Sequence, residues 1–169
     1  MSDFNIGKPK DYIEPLLGQE SVWDYSESIT VQISKKQLQV VFNDVTIAST
    51  QRGVKVLQRG IPPVYYFPLE DVKLEHLTKT NHHTYCKYKG TADYWNILVA
   101  KRAAKNAAWS YPDPIPDTSP KGHIAFYAHL VDSCYVDGEK VTAPDWVWIG
   151  GWVTKDIVGP FLNQQSCNI

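Results

Sequence analysis

Apolar and polar residues alternate along this chain in short runs, and turn-forming residues interrupt them about every 8 to 12 positions. A period of two sends successive side chains to opposite faces, which builds half-buried strands and not helices. Ile29, Val31 and Ile33 alternate with Thr30 and Gln32. Leu38, Val40 and Phe42 alternate with Gln39 and Val41 until Asn43-Asp44 turns the chain. Val45, Ile47 and Ser49 then continue as a partner, so residues 37–49 predict a hairpin. Val54 to Leu57 is the next run, closed by Gly60 and Pro62-Pro63. Val64-Tyr65-Tyr66-Phe67 stands between prolines. Proline lacks the ladder donor, so this run predicts an edge strand or one that ends at a sheet corner.

Residues 69–77 put Leu69, Val72 and Leu74 at helical spacing and admit either one helical turn or an irregular strand. Thr84 to Tyr88, Tyr94 to Val99 and Ala107 to Tyr111 read as strands, with Lys101-Arg102 suited to a turn. The third stops at Pro112-Asp113-Pro114-Ile115-Pro116, which excludes helix and central strand. His123 to Val131 alternates most clearly, and Val131 to Asp137 bends back through Asp137-Gly138. The pattern predicts an all-β chain of about eight to ten short strands, an antiparallel sandwich or open barrel with at most one or two short helical turns.

A length of 169 residues suits one domain, expected over 21–161. Residues 1–20 hold no sustained period and read as an arm, partly disordered or draped over the domain; 162–169 form a tail. Trp146, Trp148 and Gly150-Gly151-Trp152 are expected to lie across the domain and seal an open end. With 43% hydrophobic and 21% charged residues, the composition excludes a disordered or collagenous chain. A net charge of -1 argues against a nucleic-acid or membrane-surface binder. No apolar run approaches the roughly 18 to 20 residues that span a bilayer, and residues 1–20 lack a signal peptide's apolar middle. Cys86, Cys134 and Cys167 cannot all pair, so they read as free thiols and the expected location is cytoplasmic.

His82-His83-Thr84-Tyr85-Cys86 carries zinc-binding side chains, yet a structural zinc site needs four ligands in close pairs. Only Cys134, His76, His123 and His129 remain, so no metal and no other cofactor is expected. Cys86 becomes a nucleophile if a nearby cation lowers its pKa. Strand alternation sends His83, Lys87 and Lys89 to the opposite face, which leaves a buried structural thiol as the default. Tyr65, Tyr66, Tyr88, Trp95, Trp109, Tyr111 and Tyr127 are the rings a small-molecule pocket would use. Core packing explains any one of them; a cavity explains the set. Glu70, Asp71, Asp93 and Asp113 fall at strand ends or loops. Asp113 is held between prolines, as a general base or as an Asx-turn. His123 and His129 flank Tyr127 on one strand face, as an acid–base pair or an exposed polar face. Gly-rich phosphate loops and a Gly-x-Ser-x-Gly elbow are absent from the sequence.

Three linked segments carry a resemblance. They are Pro62-Pro63-Val64-Tyr65-Tyr66-Phe67-Pro68 with Glu70-Asp71-Val72, then Thr84-Tyr85-Cys86-Lys87-Tyr88-Lys89-Gly90-Thr91-Ala92-Asp93-Tyr94-Trp95, then Ala107-Ala108-Trp109-Ser110-Tyr111-Pro112-Asp113-Pro114 with Ala125-Phe126-Tyr127. In order and spacing they resemble the domain-of-unknown-function 427 family, over about residues 20–161. The flanks Val22-Trp23-Asp24-Tyr25 and Gly151-Trp152-Val153-Thr154 agree with it. The resemblance implies a β-tent, two antiparallel sheets meeting at an angle, related to the thalidomide-binding domain of cereblon and to B-type methionine-sulfoxide reductases. Some of those relatives carry a four-cysteine zinc site, for which this chain lacks the cysteines. Cereblon-like relatives hold a cyclic ligand in an aromatic cage, and Trp95, Trp109 and Tyr111 are the nearest candidates here. The family also carries a nucleotidyltransferase-like label, which no phosphate loop or paired metal-binding acids in this sequence support.

Two functions follow as expectations. The first is a small-molecule enzyme of isomerase, cyclase or lyase type, using acid–base chemistry in an aromatic-lined cavity between two sheets. Glu70, Cys86, Asp113 and His83 would be its ionisable groups. The second is a non-catalytic module that cages a small ligand by stacking and cation–π contact. A buried carboxylate, imidazole or thiol beside the rings would favour the enzyme. The partner in either case is a small molecule, with no nucleic acid and no membrane, for a monomer or homodimer.

Overall fold

Residues 7–143 and 150–162 are described by the computed structural model. Their regular structure is all strand apart from 3-10 turns at Val22–Asp24, Leu69–Asp71, Leu74–His76 and Ala128–Leu130. The strands are β1 (Glu20–Ser21), β2 (Thr30–Ile33), β3 (Leu38–Phe42), β4 (Val45–Thr50), β5 (Val54–Gln58), β6 (Ile61–Pro68) and β7 (Leu77–Cys86). They continue as β8 (Gly90–Val99), β9 (Arg102–Ser110), β10 (His123–Phe126), β11 (Ser133–Val136), β12 (Glu139–Lys140) and β13 (Ile157–Val158).

A seven-stranded antiparallel sheet runs β2-β5-β6-β10-β9-β8-β7, and a four-stranded one runs β12-β11-β3-β4. A short parallel pair, β1 with β13, ties the two ends of the domain together. The predicted β3–β4 hairpin forms. Asn43 and Asp44 both hold positive φ, 48° and 62°, as the two central residues of a tight hairpin turn require. Residues 69–77 resolve into two 3-10 turns, after which β7 begins at Leu77.

The two large sheets pack on a common core. Leu38, Val40, Phe42 and Ile47 project from the smaller sheet, and Phe67, Ile97, Ile124 and Phe126 from the larger. Phe67 and Phe126 meet edge to face at 5.5 Å. Trp152 is fully buried among them and donates its indole N–H to the Phe126 carbonyl at 3.1 Å, so a polar tip is satisfied within an apolar layer. Each such side chain contributes about 1.5–3 kcal/mol by leaving water. Between the sheets the described residues thus form a packed core.

Two strand expectations change. Val64–Phe67 is interior, because β6 is flanked by β5 and β10. Its prolines fall where no ladder donor is needed. Pro62 and Pro63 lie where the β5 register shifts and beyond the reach of β10, which pairs only with Tyr66, Phe67 and Pro68. The alternation at 123–131 is strand only as far as Phe126 and then turns at Ala128–Leu130. Within the arm, Tyr12 packs against the Val22, Trp23 and Leu57 cluster and Gln19 donates to the Lys155 carbonyl, while Leu17 is exposed. Trp146, Trp148, Cys167 and residues 163–169 lie outside the described residues. Among the described residues no helix is long and apolar enough to cross a membrane.

Candidate functional site

Period-two alternation gives the seven-stranded sheet two different faces. Phe67, Ile124 and Phe126 point to the core, whereas Tyr66 and Ala125 point outward. On that outer face Tyr66, Trp109 and Tyr111 cluster with Val56, Val64, Ala92 and Ala125, and Tyr94 and Tyr127 pack at the rim. The Trp109 and Tyr127 rings lie 4.4 Å apart, and Tyr66 meets Trp109 edge to face at 6.2 Å. β7 adds His82, whose ring is 4.6 Å from that of Tyr94, and Thr84, whose hydroxyl is 2.9 Å from the Tyr94 hydroxyl. Cys86 shares the face of Thr84 by alternation and interacts electrostatically with Tyr66, Tyr111 and Lys89.

Lys89 is set by the turn between β7 and β8. Its N–H donates to the Cys86 carbonyl at 3.2 Å, and its carbonyl accepts from Ile115 N–H at 3.0 Å. Gly90 follows at φ +102°, with the backbone of Asp113 packed where a side chain would begin. The proline-rich loop thus lies on the turn at ordinary contact distance, and the positive φ is what calls for glycine. Strand alternation does not extend to Lys89, because β7 ends at Cys86; the expected separation of the two side chains gives way to proximity. Lys89 is only 8% exposed, and its ammonium makes no ion pair or hydrogen bond among the described residues. Burial holds its pKa below the ordinary lysine value, with the Cys86 thiol opposing.

Two buried hydroxyls add to this. The Tyr66 phenol and the Ser119 hydroxyl are both buried without a well-formed hydrogen bond, although Ser119 and Trp109 lie close enough to the phenol to oppose the effect of burial on its pKa. An unsatisfied buried polar group costs about 1–3 kcal/mol, so natural folds keep few of them. Burial pushes the Tyr66 phenol up to about 12 and moves Tyr111 and Tyr127 upward as well. All three stay protonated, as donors.

The other expected site residues are dispersed. Tyr65 and Trp95 pack on the opposite face, Tyr65 against Trp152 at 5.4 Å and Trp95 with its indole N–H on the Ser110 hydroxyl at 3.0 Å. Tyr88 sits on the β7–β8 turn with the Lys87 ammonium 4.9 Å over its ring. Glu70 is exposed, 4.0 Å from Arg52, beside a polar cleft of about 540 Å³ lined by Gln37, Ser49, Thr50, Gln51, Arg52 and Asp71. Asp113 is exposed on its loop. His83 turns to the other face, where its Nδ1 lies 2.9 Å from the buried carboxylate of Asp93; Lys79 holds the same carboxylate at 2.6 Å. Of the four expected ionisable groups, only Cys86 stands beside the outer rings. Among the described residues no group of three His, Cys, Asp or Glu side chains is placed to hold a metal.

Lys89, Tyr94 and Ser119 are site residues that the strand pattern does not reveal. The signal for Lys89 is its place before Gly90, since a Lys-Gly step between two strands predicts a turn and breaks the alternation. Tyr94 and Trp95 compete for one face, and only the register of β8 against β9 decides between them.

Residues 30–137 match a family described as "Domain of unknown function (DUF427)", over more than half of the chain. The chain belongs to that family. No curated protein matches it.

Proposed function

We propose that the protein is a small-molecule-processing enzyme that works by acid–base chemistry on the outer face of the seven-stranded sheet. The observation that carries this reading is a buried amine without a counter-charge among the described residues, Lys89, linked through Cys86 to the Tyr66 phenol, which has Ser119 beside it on an aromatic floor. Cys86 supplies a thiol next to the same rings. A fold that only stacked a ring would need none of these groups. Burial favours the neutral form of the amine, which accepts a proton, and a phenol donates one, the two halves that an isomerisation or elimination uses. Free Cys86 and Cys134 accord with a reducing, cytoplasmic setting.

The test is a pool of small metabolites incubated with the full chain and with Tyr66→Phe, followed by mass spectrometry. At least one compound should be consumed by the native chain and spared by the variant. An unchanged pool, or equal consumption by both, overturns the reading. A compound held by the native chain and released unaltered would instead support a binding module built on the Trp109–Tyr127 stack.

A further inference from the structure

We propose that Lys89 is the nucleophile of this site and forms an imine with a carbonyl compound, so that the substrate is an aldehyde or ketone with a flat, apolar body. This rests on the enzymatic reading above and names its reacting group and substrate class.

The neighbouring lysines show what is unusual about Lys89. Lys36 lies 2.9 Å from Asp156 and Lys79 lies 2.6 Å from Asp93, so these two partly exposed lysines each meet a carboxylate. Lys89 is more buried than either and meets none among the described residues. An amine removed from water without a counter-charge favours its neutral form, and that form owns the lone pair that attacks carbon. General-base chemistry alone would be served by a carboxylate or imidazole. On this face the described candidates, Asp113, His82 and His129, are all exposed, whereas the buried Asp93 faces the other way. The group placed in the apolar interior is thus the one that can bond covalently.

The buried hydroxyls fit the same step. A carbonyl oxygen is an acceptor only, and Tyr66 and Ser119 are neighbouring buried hydroxyls whose protons are engaged in no well-formed hydrogen bond. The Lys89 lone pair adds to the carbonyl carbon while the C=O pair moves onto oxygen. The oxygen takes a proton from a hydroxyl, which recovers one from the new ammonium. The hydroxyl of this carbinolamine then leaves as water with a second proton, and the nitrogen lone pair closes the C=N bond. Amine, carbonyl and one proton become iminium and water, and no oxidant or reductant is needed. The iminium draws electrons from the adjacent C–H or C–C bond, the shared requirement of isomerases and lyases. Returning water hydrolyses it and restores the amine.

The test uses the full chain with 4-hydroxybenzaldehyde and, separately, glyoxylate, each with sodium cyanoborohydride near neutral pH, read by intact mass and peptide mapping. The expected result is one reduced adduct on Lys89, formed before any on exposed lysines, slowed in Tyr66→Phe and lost in Lys89→Arg and Lys89→Met. Circular dichroism melts show whether each variant folds, and either folded lysine variant suffices. Adducts spread over exposed lysines with Lys89 unlabelled overturn the proposal. Quenching of indole emission by 4-methylphenol, which has no carbonyl, then separates the two readings. Saturable quenching that is lost in Trp109→Phe keeps the small-molecule site and removes only the imine; no quenching removes both.

Discussion

Tyr65 and Tyr66, adjacent on β6, turn their rings to opposite faces of the same sheet: Tyr65 meets Trp152 at 5.4 Å in the core, and Tyr66 meets Trp109 at 6.2 Å outside it. Tyr65 belongs to the layer that holds the two sheets together, whereas Tyr66 brings a buried hydroxyl with no well-formed hydrogen bond, beside Ser119. The two should respond differently to substitution.

Tyr65→Ala should cost about 3–5 kcal/mol, the range for emptying an aromatic core position. Tyr66→Phe removes only a hydroxyl with no well-formed hydrogen bond and should leave stability unchanged or raise it by about 1 kcal/mol. Urea unfolding of both variants measures this. A Tyr66→Phe protein as damaged as Tyr65→Ala would mean that the phenol has a structural partner.

Gly150 holds φ +81°, and a Cβ there would come 2.1 Å from the Trp109 ring. The indole is rigid and packed on Tyr127 at 4.4 Å, so it has no flexible end to move aside. Gly150→Ala should therefore lose about 1–3 kcal/mol through overpacking and backbone strain, and should displace the ring. Thermal melts together with tryptophan emission check it; an unshifted spectrum in a fully stable variant would contradict the packing.

Much of this fold is legible in the residues, because sheet faces follow a period of two. Leu38, Val40 and Phe42 alternate in sequence and are buried together. The Val64–Phe67 run misleads because proline marks a missing donor without saying whether the ladder needs one there. Its prolines sit at a register shift and beyond a short neighbour, facts that belong to partner strands far away in sequence. The site is less legible for the same reason. Tyr66, Trp109, Tyr111 and Tyr127 can be chosen as aromatic and half-polar, but Tyr65 and Trp95 look identical by that criterion. What separates them is which face each strand presents, and the core takes one face and leaves the other. Lys89 is hidden differently, since a lysine reads as exposed until a distant loop covers it.

Asp93 ties β7 to β8 where their register shifts, between Lys79 and His83. The carboxylate is buried and both partners are half exposed, so loss of its charge leaves the Lys79 ammonium to water and weakens the contacts of the carboxylate with Lys79 and His83. Asp93→Asn should cost about 1–3 kcal/mol and loosen this edge of the sheet. Amide exchange along Leu77–Cys86 reports the loosening; protection equal to that of the native chain would show that the pair does not hold the edge.

The buried amine also makes a prediction in pH. The folded-state pKa of Lys89 lies below the ordinary value of 10.5, so between the two the unfolded chain binds a proton that the folded chain does not. Stability contributed at this position therefore rises as pH climbs through the folded pKa towards 10.5, and the penalty is present in full below the folded pKa. Lys89→Met fills the same space without a charge to desolvate. It should be more stable than the native chain at neutral pH, by about 2–4 °C in Tm for each 1 kcal/mol relieved. The advantage should shrink as pH approaches 10.5. Melting curves of both proteins across that range decide the matter. A methionine variant that is less stable at every pH would show that the amine is held by a partner, and its availability for chemistry would fall with that result.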